Sequence, residues 1–482
     1  MARILIKQRK TNKIRSKAKI LFSKLSENRL AWIIIAFFTI AYLVFELVSY
    51  HNFRFPVLDL GLYNRHFWGM SNFDFGANPL KGYNLLGDHS HFVLLLLVPF
   101  YAIFRDPQTL LVIQTLAITL SGYPIYLIAK KYFVDKTVAA LWLLPYFFFL
   151  GFSSALDYPF HVSPLAVLPM AWAFYYLIEK NYKPLFVSLA LLLFIKEDMP
   201  LVVIMFALYM IFFYRRYLWG TITLLLSGIY FVFVTKYWLP HISQIVYYYS
   251  DAGELGANWN EVFLNAVKNP ALLIHNLFLP SIKYQSMIYL LASFGGFSLA
   301  APEIIIFLSP IWLGRFLNTQ PWRWTLTQHY SANQAPILIV AAIIGVYRIS
   351  MWLKPKVKPS LFYKIALSFL LLSSLLTNLL SQNKPLLNLF SRNFYTASPT
   401  ILSAREALKM IPKEASVGIQ SAFPQLTSRK EVYNMPNAFP RHQPDFIVLS
   451  TDLDYWPFVS TAKVLEFHDS LILNYHYIDI LN

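Results

Sequence analysis

Residues 30–50 set the terms for this chain. They form about 20 residues of nearly unbroken apolar sequence, the length an α-helix needs to cross a ~30 Å hydrocarbon core. Residues 1–29 carry ten Lys or Arg against one acid, Glu27. A basic flank of this kind stays on the cytoplasmic side. The run has no small-residue cleavage site, so it reads as a retained span rather than a removed leader. Further apolar runs follow, and composition agrees. The chain is 57% hydrophobic and 13% charged, against roughly 45–50% and 25% in soluble domains. So few charges could not cover a soluble surface. Aromatics reach 17%, which suits lipid-facing and interfacial positions. The expected fold class is mainly α: a polytopic transmembrane helical bundle with a small α/β domain at its C-terminal end.

Positive charge orders the runs. With the basic arm 1–29 inside, the span 30–50 runs outward and 51–107 becomes a long outer loop. Its apolar piece 92–104 is too short to cross at ~1.5 Å per residue, so it reads as an interfacial helix. Lys130, Lys131 and Lys136 then fall inside, between spans 109–129 and 138–155, and 162–178 returns inward. Residues 184–214 have basic flanks and a polar break at Lys196-Glu197-Asp198-Met199-Pro200. They read as two short helices meeting near the outer face, with Pro200 in the first turn of the second. A span at 219–238, an outer loop at 239–285, a hairpin at 286–317, an outer loop at 318–334 and spans at 335–352 and 361–380 complete about eleven crossings. The N-terminus lies in the cytoplasm of this multi-pass cell-membrane protein. Residues 30–380 form the membrane domain and 381–482 an extracytoplasmic α/β domain. That domain has an amphipathic helix at 403–411, with Ser403 and Glu406 in capping-box spacing, and short buried strands at 415–419 and 445–449.

The net charge of +17 raises nucleic acid as a partner, but its concentration beside a span assigns it to topology and anionic lipid instead. With no cysteine, disulfides and thiolate metal sites are excluded. A Gly-Lys-Ser/Thr phosphate loop is missing, which argues against an ATP-driven pump.

Ionisable groups at or beside membrane depth are costly and therefore informative. Asp59 is a lone acid beyond the first span. It is a candidate general base or metal ligand, or else the N-cap of a helix-like stretch at 60–68. The same loop holds Arg65, and it ends at Asp88, His89 and His91. Those residues could bind a divalent cation such as Mg2+ or Mn2+, with Asp59, Asp88 and His89 as ligands, or could simply start a helix; His91 could contact phosphate when protonated. Asp157 and His161 occupy a third outer turn. Lys196, Glu197 and Asp198 occupy a fourth, as functional groups or as an ion pair bracing a broken helix. In a later loop Arg323 lies between Trp322 and Trp324 and could bind phosphate. Gln328, His329 and Tyr330 could donate to sugar hydroxyls, or the whole segment could be an interfacial anchor belt. Acids and imidazoles from separate outer turns at one depth predict a shared cleft open to the outside.

The stretch Asp59-Leu60-Gly61-Leu62-Tyr63 to Trp68, followed by His89-Ser90-His91-Phe92, Pro99, Tyr101, Pro107, Gln114, Pro124 and Tyr126, resembles the predicted membrane proteins of domain-of-unknown-function family 2079. The Asp157 to His161 turn, Lys196-Glu197-Asp198 and Gln328-His329-Tyr330 fit it too. The likeness covers roughly residues 30–450. That family in turn is similar to the C-type membrane glycosyltransferases (GT-C), which use polyprenyl-phosphate sugars. The resemblance implies that Asp59 is catalytic base or metal partner and that Asp157 is a second acid; Glu197 and Asp198 match the family's own motif. Many such transferases carry paired acids where Asp59 is followed by Leu60, which weakens the metal expectation. The function expected is transfer of a sugar from a polyprenyl-phosphate donor to a glycan, lipid or protein acceptor on the outer face. The alternatives are a transporter or flippase of lipid-linked sugar, and a non-catalytic partner in envelope assembly.

Overall fold

The computed structural model describes residues 28–133, 135–243, 251–381 and 384–480. The basic arm 1–29 lies almost wholly outside them. Among the described residues, five helices are long and apolar enough to cross a membrane: Arg29–His51, Pro107–Tyr132, Tyr217–Ile242, Pro321–Leu353 and Pro359–Leu380. Lys136–Phe147 and Leu150–Asp157 pass the same test as a pair bent by 48°.

The helix surfaces are arranged for lipid. In Tyr217–Phe233 the buried residues are Gly220, Thr223 and Ser227, whereas Leu218, Ile222, Leu225, Leu226 and Ile229 are exposed. Small residues allow close helix contact, and large apolar ones face outward without penalty only where the surroundings are apolar. Arg29–His51 likewise exposes Ile33, Phe37, Ile40 and Val44 while burying Ile34, Ile35, Phe38, Tyr42 and Phe45. At the centre, every residue of Ala335–Leu353 from Ala335 through Val346 is buried, as befits a helix apolar on all sides.

Three shorter apolar stretches form helices of 11 to 14 residues. Val93–Ile103 has 11 residues, about 16 Å of helix. The stretch expected to break does so into Tyr182–Leu193 and Met199–Phe212, with Pro200 in the first turn of the second.

Toward the C-terminal end, strands β1 (Val417–Ile419), β2 (Val432–Asn434) and β3 (Phe446–Val448) form a parallel sheet in the order β2-β1-β3. Helices Pro399–Met410 and Thr461–Tyr475 accompany it. Strand β2 had no sequence signal strong enough to be expected. The helix begins earlier than the Ser403 spacing suggested: Ser398 is its N-cap, accepting from the Ile401 amide at 3.3 Å. Pro399 then occupies the first turn, where its missing N–H costs nothing. The sheet is joined to the first loop by a shared apolar cluster in which Phe53 and Val57 pack with Val417, Ile419, Phe423 and Val448.

Candidate functional site

The segment bearing Asp59 is held at both ends. Ahead of it, the Val57 amide donates to the Ser421 carbonyl at 2.6 Å. Behind it, a Cβ on Gly61 would come within 3.1 Å of the Thr427 methyl, so glycine here leaves room for the sheet-side loop to pack closely. In the next helix, Leu62–Ser71, the Asn64 amide donates to Thr427 and Ser428 at 2.8 and 2.9 Å. Arg65 donates to the Lys430 carbonyl at 3.1 Å and pairs with Asp74 at 3.2 Å. Arg65 is thus a buried clasp between the two parts of the chain, and it does not line the cavity at Asp59. Asp59 is not a helix cap, since the Leu62–Ser71 helix starts from Gly61. Its own backbone sits at φ 63°, ψ −72°, the region of the rare, strained γ-turn.

Asp59 opens onto a cavity of about 440 Å3 lined also by Lys81, Asp88, His89, Tyr158, His161, Arg323, Gln328, His329 and Tyr330. The Tyr158 hydroxyl donates to Asp59 Oδ2. Burial pushes the Asp59 carboxyl above the ordinary carboxylate range, against the pull of that bond and of Lys81. A base held closer to neutrality takes up a proton more readily at physiological pH. Asp157, one residue before Tyr158, is exposed and does not line the cavity. The turn therefore contributes Tyr158 and His161 where the sequence suggested Asp157 and His161.

A row of rings runs back from the cavity. His329 stacks on His161 with centroids 3.6 Å apart and planes at 14°. Tyr63 Oη lies 3.5 Å from His161 Nε2 and 3.2 Å from His91 Nδ1. His89 Nδ1 meets Glu197 Oε1 at 2.7 Å, and the Ser90 amide donates to Glu197 Oε2 at 3.3 Å. Burial holds His91 and His161 well below the usual imidazole range, with neighbouring histidines adding to the effect. His91 is therefore neutral, fully buried and behind the cavity wall, and is not a phosphate contact. Glu197 is buried but remains ionised, because His89 and Lys196 outweigh its desolvation. It ties the end of the first loop to the 196–198 turn.

A second cavity of about 350 Å3 adjoins the first, with Arg323 and Tyr330 common to both linings. Its walls are largely apolar, including Leu201, Ile204, Met205, Phe231 and Ile311, and Lys196, Glu197 and Asp198 line it too. The wall between the cavities is set by a residue the sequence did not single out. Arg315 is buried and donates to the Arg323 and Thr325 carbonyls, both at 2.6 Å, and to Ser331 Oγ at 2.9 Å. Gly151 admits this segment: a Cβ there would lie 2.9 Å from the Ser331 carbonyl.

The ligand atoms of Asp59, His161 and His329 lie within 4.8 Å of one another. Asp88 and His89 are instead engaged by Lys81 at 3.7 Å and by Glu197, so the trio expected from sequence is not the one that converges. The converging trio is a poor cage as it stands. Face-to-face rings set their in-plane lone pairs side by side, so one cation cannot lie in both planes. The Ser163 amide also donates to His161 Nδ1 at 3.1 Å, which leaves the proton of the neutral ring on Nε2. His329 is different: both ring nitrogens are buried without a hydrogen-bond partner among the described residues. A neutral imidazole offers one donor and one acceptor, the complement of a hydroxyl group.

A family model for a predicted membrane protein (DUF2079) matches residues 50–477, and the chain belongs to that family. No curated protein and no solved structure matches it.

Proposed function

We propose that this member of the family is a membrane glycosyltransferase that moves a sugar from a polyprenyl-phosphate donor to a glycan, lipid or protein acceptor on the outer face of the cell membrane. The observation that carries this reading is the junction of two unlike cavities at Arg323 and Tyr330. One presents Asp59, Gln328, His329 and Tyr330, groups suited to hydroxyls. The other presents an apolar wall for an isoprenoid chain and Lys196 for a phosphate. A donor joining a sugar to an apolar chain through a phosphate is matched part by part. An acceptor hydroxyl gives its proton to Asp59, its oxygen bonds to the anomeric carbon, and the bond from that carbon to the phosphate oxygen breaks with inversion. Charge developing on the departing polyprenyl phosphate is stabilised by Arg323 and Lys196.

The topology we propose with it has about eleven crossings, the N-terminus in the cytoplasm, and residues 381–482 as an extracytoplasmic α/β domain. The shorter apolar helices, such as Ser163–Ile178, Tyr182–Leu193 and Met199–Phe212, help complete the count. The ion pair of Lys131 with Glu179 at 2.7 Å, near Lys180 and Lys183, fits a basic inner face. The C-terminal domain then acts as a brace for the Asp59 turn.

The test is product formation by purified protein in nanodiscs, given a panel of labelled polyprenyl-phosphate sugars and acceptors, with and without chelator. Wild type should yield product and Asp59→Asn should not, at equal expression. Movement of the donor across a bilayer without any product would replace this reading by the transporter one.

A further inference from the structure

Glu46 is an acid within the candidate span Arg29–His51, and its side chain is completely buried (0% exposed). A carboxyl at that depth is expensive unless its oxygens are satisfied. Here they are. The Thr115 hydroxyl donates to Oε2, and Gln114 Nε2 donates to Oε1 at 3.3 Å. The same Nε2 donates to the Ala155 carbonyl at 3.2 Å. Two acceptors at one end of the Gln114 amide dictate that this end is nitrogen. The oxygen end must then face the other way, where it accepts the His161 backbone N–H at 3.0 Å. The chain of bonds thus runs from a lipid-exposed helix, through Gln114, into the turn that carries Tyr158 to Asp59 and His161 to the cavity.

We propose that Glu46 and Gln114 are positioning residues for the candidate site, and that Glu46 acts as a hydrogen-bond acceptor which orients Gln114. Without an acceptor at position 46, the Gln114 NH2 keeps only the Ala155 carbonyl, so one of its two anchors is lost and the amide latches the His161 N–H less firmly. An amide oxygen can replace the carboxylate oxygen toward Gln114, while the Thr115 hydroxyl becomes an acceptor. The role is therefore geometric and does not need the charge.

Hydrogen exchange of the full-length protein in nanodiscs tests this independently of the transferase reading, on which only the catalytic consequence rests. In Glu46→Leu and Gln114→Leu, peptides covering residues 158–163 should exchange about tenfold faster, while peptides from Ala335–Leu353 stay unchanged. Glu46→Gln should keep wild-type protection. In the transfer assay, kcat should fall in the two Leu variants and be retained in Glu46→Gln. Unchanged protection at 158–163 in Glu46→Leu overturns the proposal. So does equal loss in Glu46→Gln, which would make the charge essential, and so does uniform loosening of the bundle. A wild-type protein that makes no product would remove the transferase reading and leave the exchange result standing.

Discussion

Asp59 pairs the carboxylate proposed as the base with a backbone that L-residues avoid, and the two can be separated by substitution. Asp59→Ala and Asp59→Gly remove the same carboxylate and the same bond from Tyr158, so those losses cancel in a comparison. What remains is the backbone at φ 63°, ψ −72°. Holding a residue with a Cβ in such a region costs about 1–3 kcal/mol, a cost glycine escapes. Glycine gives back about 0.5–1 kcal/mol through its freer unfolded chain. The Gly variant should therefore be the more stable by roughly 0.5–2 kcal/mol, reversing the usual order of Ala over Gly. In a chain of this size that is a difference of about 0.5–2 °C in the thermal midpoint, measurable by scanning fluorimetry on replicate matched nanodisc samples. Both variants should be inactive. An Ala variant as stable as the Gly variant, or more so, would refute the claim that the turn is strained.

Two further outcomes follow from burial and close packing. His66 is buried with Nε2 unpartnered among the described residues, and burial followed by the Arg65 charge pushes its pKa down to about 4. The unfolded chain takes up that proton first, so His66 leaves stability intact above about pH 6.5 and erodes it as pH falls toward 4, by roughly 3 kcal/mol in all; His66→Leu should flatten the fall of the thermal midpoint over that window, and an unchanged slope would contradict it. Gly151→Ala should displace the 328–331 segment, because its Cβ would meet the Ser331 carbonyl at 2.9 Å; faster hydrogen exchange there, with transfer reduced, is the expected result, and wild-type exchange would show that the packing can yield.

Several features of the site were legible because they stand out against lipid. Asp59, His89, His161, Lys196, Arg323, Gln328, His329 and Tyr330 are polar groups in apolar surroundings, and the structure gathers them on the two adjoining cavities. Glu46 carried the same signal, a lone acid inside the first span, and is the clearest residue the sequence reading passed over. Arg315 was masked by its place near a helix end, where a basic residue is ordinary. Nothing local distinguishes Arg65 from a ligand contact, since its partner is a backbone carbonyl 365 residues away.

By itself the sequence determined the solvent this chain folds in, because hydropathy, charge placement and run length are additive along the chain and need no knowledge of contacts. It likewise located the break beside Lys196, where the helices part at 194–198, since a polar turn and a proline act locally. Only the tertiary structure decided which members of each polar turn meet. Tyr158 faces Asp59 while Asp157 next to it does not, and His91 retires behind Tyr63 while His89 reaches the cavity. Side-chain direction depends on how separate helices and a distant sheet pack, and adjacent residues on a turn point different ways for reasons that no local pattern records.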